Sequence, residues 1–150
     1  MTLSTRARAL IVQEALTWER TPYHDHGRLK GIGTDCAMLP AEVYAACGLI
    51  PPIPPQDYPV DWHMHRDGER FLAHVLEHAD ETLDPQPGDL VLYRWGRVFA
   101  HSGIVIAWPR IIHAVIGEGV VQADGDAGVL TKRERRFFTV RGGDTDGLEA

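Results

Sequence analysis

The chain has 150 residues, 44% of them hydrophobic and 24% charged, with a formal net charge of -6. That length suits one compact domain with a single sizeable core. The acidic balance, with only the short basic run KRERR near the end, excludes nucleic acid as the main partner, and no stretch approaches the roughly 20 apolar residues of a membrane helix.

The opening segment, MTLSTRARALIVQEALTWER, is basic, but Gln13 and Glu14 interrupt its apolar patch. It lacks the h-region of a signal peptide, so the chain is expected to be cytoplasmic as synthesised. Residues 4–19 read as an amphipathic helix capped by Ser4 or Thr5, with Ala7, Leu10, Ile11, Ala15 and Trp18 on one face. Pro22 and three glycines make residues 21–34 a loop. A second helix is predicted from Cys36 to Cys47, with Asp35 or Thr34 as its N-cap, Gly48 as its stop, and Cys36, Leu39, Val43 and Cys47 facing inward. The proline-rich stretch 50–59 reads as a stiff extended surface loop, and residues 68–80 as a further helix. After the PQPGD turn the character changes. Short runs rich in Val, Ile and Phe, split by Gly or Pro, predict about five strands, antiparallel because the connections are too short for crossover helices. Helices first and strands second imply an α+β fold with the helices packed on a mainly antiparallel sheet. One domain is expected over residues 1–141, with 142–150 a disordered tail.

The chemistry-bearing residues are few. The two cysteines, Cys36 and Cys47, lie eleven positions apart in one predicted helix. That is about 16 Å along the axis, too far for a disulfide. Cys36 falls at the helix start, where unpaired N–H groups and the dipole should lower a thiol pKa and hold an oxyanion. Cys47 reads as packing. His101 and His113 sit among β-branched residues in the strand half, where an imidazole is costly unless hydrogen-bonded. On adjacent antiparallel strands they can pair across the ladder. With Cys36 they would supply nucleophile, base and orienter. The other histidines form the pairs His24/His26, His63/His65 and His74/His78. No carboxylate or cysteine stands at convincing ligand spacing from them, so they read as exposed and no metal is expected.

At this point the chain resembles a known family. PYHDHGRLKGIGTDCAMLPAEVYAACGL, DY, PQPGDLVLYRWGRVFAHSGIVI and IIHAVIGEGVV occur in the order found in the NlpC/P60 cysteine peptidases, and most resemble the branch from phage tail assembly regions. The resemblance implies a papain-like α+β fold. It also implies cleavage of bacterial peptidoglycan stem peptides after D-glutamate, with no cofactor. Carried over by motif, Cys36 is the nucleophile, His101 the base and His113 the orienting third member. Tyr23 falls on a cleft tyrosine that helps the oxyanion hole, and Asp35 is placed to contact a substrate amine. Phage tail proteins are the implied partners and a virion tail the implied setting. The chain departs from the family pattern at Met38 and Pro40, where a small residue and no proline are usual. Met38 either narrows the cleft or repacks the core. The alternative readings are a tail-assembly module without turnover, a thiol acyltransferase, and a metal-dependent amidase built on the histidine pairs.

Overall fold

The computed structural model describes residues 3–52 and 72–142. Helix α1 spans Thr5–Leu16, with the Ser4 hydroxyl accepting from the Ala7 N–H at 3.0 Å as its cap. It buries Ala7, Ile11 and Ala15; Leu10, assigned to the same face, is only partly buried. Strands β1 (Arg28–Leu29) and β2 (Gly33–Thr34) form a small antiparallel hairpin within the segment read as loop. Helix α2 covers Met38–Ala46 and ends at Gly48, whose φ of +73° suits glycine. Regular helix therefore begins two residues after the expected start, and Cys36 lies in the turn that leads into it.

Residues 72–76 are helical, but the predicted helix does not continue to residue 80. Strand β3 (Ala79–Thr82) takes its place, pairing Ala79 with Val140. Its charged residues are those of an edge strand: Asp80 is paired with Arg141 at 2.9 Å, and Glu81 with Arg136. Strands β4 (Leu90–Trp95), β5 (Val98–Ala107), β6 (Arg110–Val115), β7 (Gly119–Asp124) and β8 (Arg135–Val140) correspond to the five predicted runs. With β3 they make a six-stranded antiparallel sheet in the order β3-β8-β4-β5-β6-β7. The fold is α+β, as expected. The expected loop over 53–59, His63, His65 and the tail from 143 lie outside the described residues.

Two apolar clusters explain why LVLY in β4 runs hydrophobic without alternation. Leu90, Leu92, Ile104 and Ile112 face Ile11, Ala15, Leu39 and Val43 of the helices. Val91, Tyr93, Val105 and Ile111 face the other way and are covered by Leu130, Trp108 and Phe137. A strand buried on both faces has no solvent side to mark with polar residues. The PGD turn ties the halves together. Buried Asp89 accepts from Arg8 of α1 at 2.8 Å and from the Gln86 N–H at 2.7 Å, and the Tyr44 hydroxyl of α2 donates to the Gly88 carbonyl at 2.8 Å.

Candidate active site

Asp35 shapes the turn that carries Cys36. Its Oδ1 accepts from the N–H groups of Ala37 (3.1 Å) and Met38 (2.8 Å), and its Oδ2 from that of His26 (3.0 Å). Asp35 thus closes the turn that leads into α2, whose own N-cap is Ala37 rather than the expected Asp35 or Thr34. Both oxygens are engaged by backbone, which gives Asp35 a structural task in addition to any contact with substrate. The two capped N–H groups are also occupied, so they do not form the oxyanion site expected at the helix start. The groups left near the sulfur are the N–H of Cys36 itself, the N–H of Ser102 and the Tyr23 hydroxyl.

Ser102 is a site residue that the sequence motifs do not single out. It is fully buried, and its hydroxyl donates to the Cys36 carbonyl, fastening the Cys36 backbone to β5. The signal was present: a serine flanked by His101 and Gly103 in an otherwise apolar strand needs a polar partner inside the fold. The Cys36 thiol donates to the Ala100 carbonyl at 3.6 Å, on the same strand.

His101 and His113 meet across β5 and β6, with Nε2 of the first 2.8 Å from Nδ1 of the second. Gly103 makes the approach possible. A Cβ there would lie 3.3 Å from the His113 Cβ and 3.1 Å from the Ile112 carbonyl oxygen. Trp95 leans on His101 with ring centroids 5.6 Å apart, and the Arg133 guanidinium stacks over Trp95 at 3.5 Å. Arg133 also donates to the carbonyls of Arg94 (3.1 Å) and Val129 (2.8 Å), joining the end of β4 to the turn at Gly128–Leu130.

Burial governs the electrostatics. It pulls both histidines down, each to about 4; the neighbouring His113 and Arg133 add to the effect on His101. It pushes the Cys36 thiol up to about 12, with the Asp35 carboxylate adding to the rise. The expected lowering of the Cys36 pKa is therefore corrected. The Ser102 and Cys36 N–H groups favour thiolate, but desolvation and the adjacent carboxylate outweigh them. Near neutral pH the resting site holds a thiol and two neutral imidazoles. Burial likewise raises the Tyr23 hydroxyl and the Asp35 carboxyl above their usual ranges.

Tyr23, Asp35, Cys36, His101 and His113 all line one cavity of about 400 Å3, whose outer wall is apolar and includes Trp95, Val98, Ile116 and Val129. Met38 does not line it. That side chain is fully buried in the main core, so it repacks the core and leaves the cleft alone. Both cysteines are free. Cys47 is buried, with its thiol 3.8 Å from the Leu10 carbonyl oxygen. Of the histidine pairs, His24 is exposed and His26 half-buried. His74 and His78 do have a carboxylate beside them, contrary to the sequence reading: one ligand atom each from His74, Glu77 and His78 lie within 4.8 Å of one another.

The model of the NlpC/P60 family matches residues 20–138. Among solved structures, the chain is similar to the NlpC/p60 domain of the peptidoglycan hydrolase SagA, at 20% identity and TM-score 0.56, covering 88% of this chain and 97% of that one. A Staphylococcus aureus protein described as similar to a lipoprotein of the NLP/P60 family aligns at 20% identity and TM-score 0.63, over 95% of this chain and 43% of the other. NlpC2 from Trichomonas vaginalis aligns at 15% identity and TM-score 0.62, over 95% and 49%. The chain thus spans less than half the length of the last two, and at these identities the likeness is one of fold. A comparison with curated proteins gave no match. The family model, extending from the residues just before Tyr23 to strand β8, shows that the chain belongs to the NlpC/P60 family, whose members are usually cysteine peptidases that hydrolyse cell-wall peptidoglycan.

Proposed function

We propose that this protein is a cysteine peptidase that cuts the stem peptides of bacterial peptidoglycan at the bond after D-glutamate, with Cys36 as nucleophile, His101 as base and His113 as the residue that orients it. The observation that carries this reading is the 2.8 Å contact between His101 Nε2 and His113 Nδ1, in a cavity that Cys36 also lines. In the tautomer where His101 Nε2 donates to His113 Nδ1, the lone pair of His101 sits on Nδ1. That nitrogen is then the base. Because thiol and imidazole rest neutral, the proton passes from sulfur to Nδ1 as the sulfur attacks, rather than from a standing ion pair.

The C–S bond forms, and the carbonyl oxygen gains charge held by the Cys36 N–H and the Tyr23 hydroxyl. The tetrahedral adduct then expels the amine, which takes the proton from His101. Water attacks the thioester with His101 again as base. The acid leaves, and the sulfur regains its proton. No step calls for a metal or cofactor. The order of motifs supports a phage or prophage tail as the setting, with tail proteins as partners.

The test is digestion of purified peptidoglycan of several wall types, read by chromatography and mass spectrometry of the muropeptides. New fragments ending in D-glutamate are expected with the native chain and none with Cys36→Ala. An unchanged pattern on every wall type overturns the reading. Transfer of the acyl group to an added amine in preference to water would make the protein an acyltransferase instead.

A further inference from the structure

His74, Glu77 and His78 close the helical stretch 72–76 and its following turn, and none of them lines the cavity at Cys36. We propose that these three side chains form a binding site for a divalent cation of the zinc class, separate from the thiol centre. The spacing supports it. His74 lies in the helical stretch and Glu77 and His78, at i+3 and i+4, in the turn that continues it, where the Glu77 N–H still bonds the Ala73 carbonyl at 3.0 Å; histidines at i and i+4 are a recurrent zinc-binding pair. The side chains have already converged, one ligand atom of each lying within 4.8 Å of the others. A tetrahedral zinc ion with bonds of about 2.0–2.2 Å holds its ligand atoms about 3.4 Å apart, so small rotations of these partly exposed side chains close the remaining distance.

The surroundings also fit. His74 Nε2 lies 3.0 Å from the Pro51 carbonyl oxygen. As donor there, Nε2 carries the proton and Nδ1 the lone pair. This is the outer contact that metal-binding imidazoles usually make, and it fixes the ring for a ligand. The cation beside the site, Arg141, spends its guanidinium on Asp80 Oδ1 (2.9 Å) and on the carbonyls of Glu77 and Ala79, so its charge is answered by a carboxylate. Two imidazoles and one carboxylate select zinc, cobalt, nickel or copper over magnesium and calcium, which favour all-oxygen shells. A water completes the fourth position. The bound ion would join the helix end to the Pro51 segment that follows α2 and to the start of β3. It would stabilise the fold by mass action without entering the thiol chemistry.

The test uses the full chain with Cys36→Ala, so that the thiol centre cannot compete, stripped with a chelator and titrated with zinc chloride by calorimetry. One equivalent is expected to bind, and the melting midpoint should rise with zinc. His74→Ala and His78→Ala should each weaken binding at least tenfold, and Glu77→Gln by a smaller factor, with circular dichroism confirming that each variant is folded. Cobalt in place of zinc should give visible d–d bands without a sulfur charge-transfer band, which reads the site even if a histidine variant fails to fold. No zinc uptake by the folded Cys36→Ala chain overturns the proposal. So does unchanged uptake in the His74→Ala/His78→Ala double variant, or a charge-transfer band that places the metal on Cys47.

Discussion

His101 and His113 differ in what an amide could replace. In the proposed mechanism His101 accepts a proton, which neither asparagine nor glutamine can do. The proposed task of His113 is to share one hydrogen bond at 2.8 Å, which an amide can do. His113→Asn or His113→Gln should therefore keep partial activity, while His113→Ala should lose roughly 10–1000-fold, or about 1.4–4 kcal/mol of barrier. His101→Asn should fall further still. Initial rates on a stem-peptide substrate, with thermal melts to check folding, decide it; a folded and fully active His113→Ala would end the orienting role. Ser102 supplies a second case. Its hydroxyl is the partner of the Cys36 carbonyl in a fully buried position. Ser102→Ala leaves that carbonyl without its donor, at a cost of about 1–3 kcal/mol in stability. Because the backbone of the proposed nucleophile loosens, we expect the turnover number to fall more than KM changes. Denaturant melts and steady-state kinetics would show both effects.

Between elements, an ion pair joins α1 to the PGD turn across 81 positions of sequence. Asp89 is fully buried and Arg8 is the cation paired with it, at 2.8 Å. Arg8→Met keeps the apolar stem but strands the carboxylate, an exchange that typically costs about 3–5 kcal/mol. Urea unfolding should show a lower midpoint with little change of slope, and adding Asp89→Asn to the variant should recover part of the loss. A midpoint unmoved by Arg8→Met would mean that the pair contributes nothing net. The same reasoning explains why β3 escaped the sequence reading. Ala79, Asp80, Glu81 and Thr82 have no strong strand pattern, and their extended form comes from pairing with β8 along Ala79↔Val140 to Thr82↔Phe137. Local preference continued the preceding helix; tertiary pairing overrode it.

For the whole molecule, the two buried histidines couple stability to acid. In the unfolded chain they titrate near the ordinary value of 6.5, and in the folded site near 4. Between those values the unfolded state binds more protons, so stability rises with pH across the window. The contribution is complete above about pH 6.5 and is lost as pH falls toward 4. The melting midpoint should therefore drop through that range, and His113→Gln should flatten the slope. A native slope no steeper than that of the variant would refute the coupling. Activity is expected to keep its acid limb below the usual histidine range, since His101 remains neutral and able to accept a proton there.

Much of the fold was determined by sequence pattern alone. The period of α1, the PGD turn and the five β-branched runs each encode their structure within a few residues, so the α+β class and the antiparallel sheet could be read directly. The motifs around Cys36, His101 and His113 likewise marked the family. Three things required the tertiary structure. Regular helix starts two residues past Cys36, at Met38, and Asp35 closes the intervening turn by accepting from the Ala37 and Met38 N–H groups. Met38 belongs to the core rather than the cleft, because the face it lands on is set by what α2 packs against. The direction of the Cys36 shift, upward rather than downward, follows from burial beneath β5 and from the charge of Asp35. A helix start is visible in sequence, but the amount of water removed from a thiol depends on every element that closes over it.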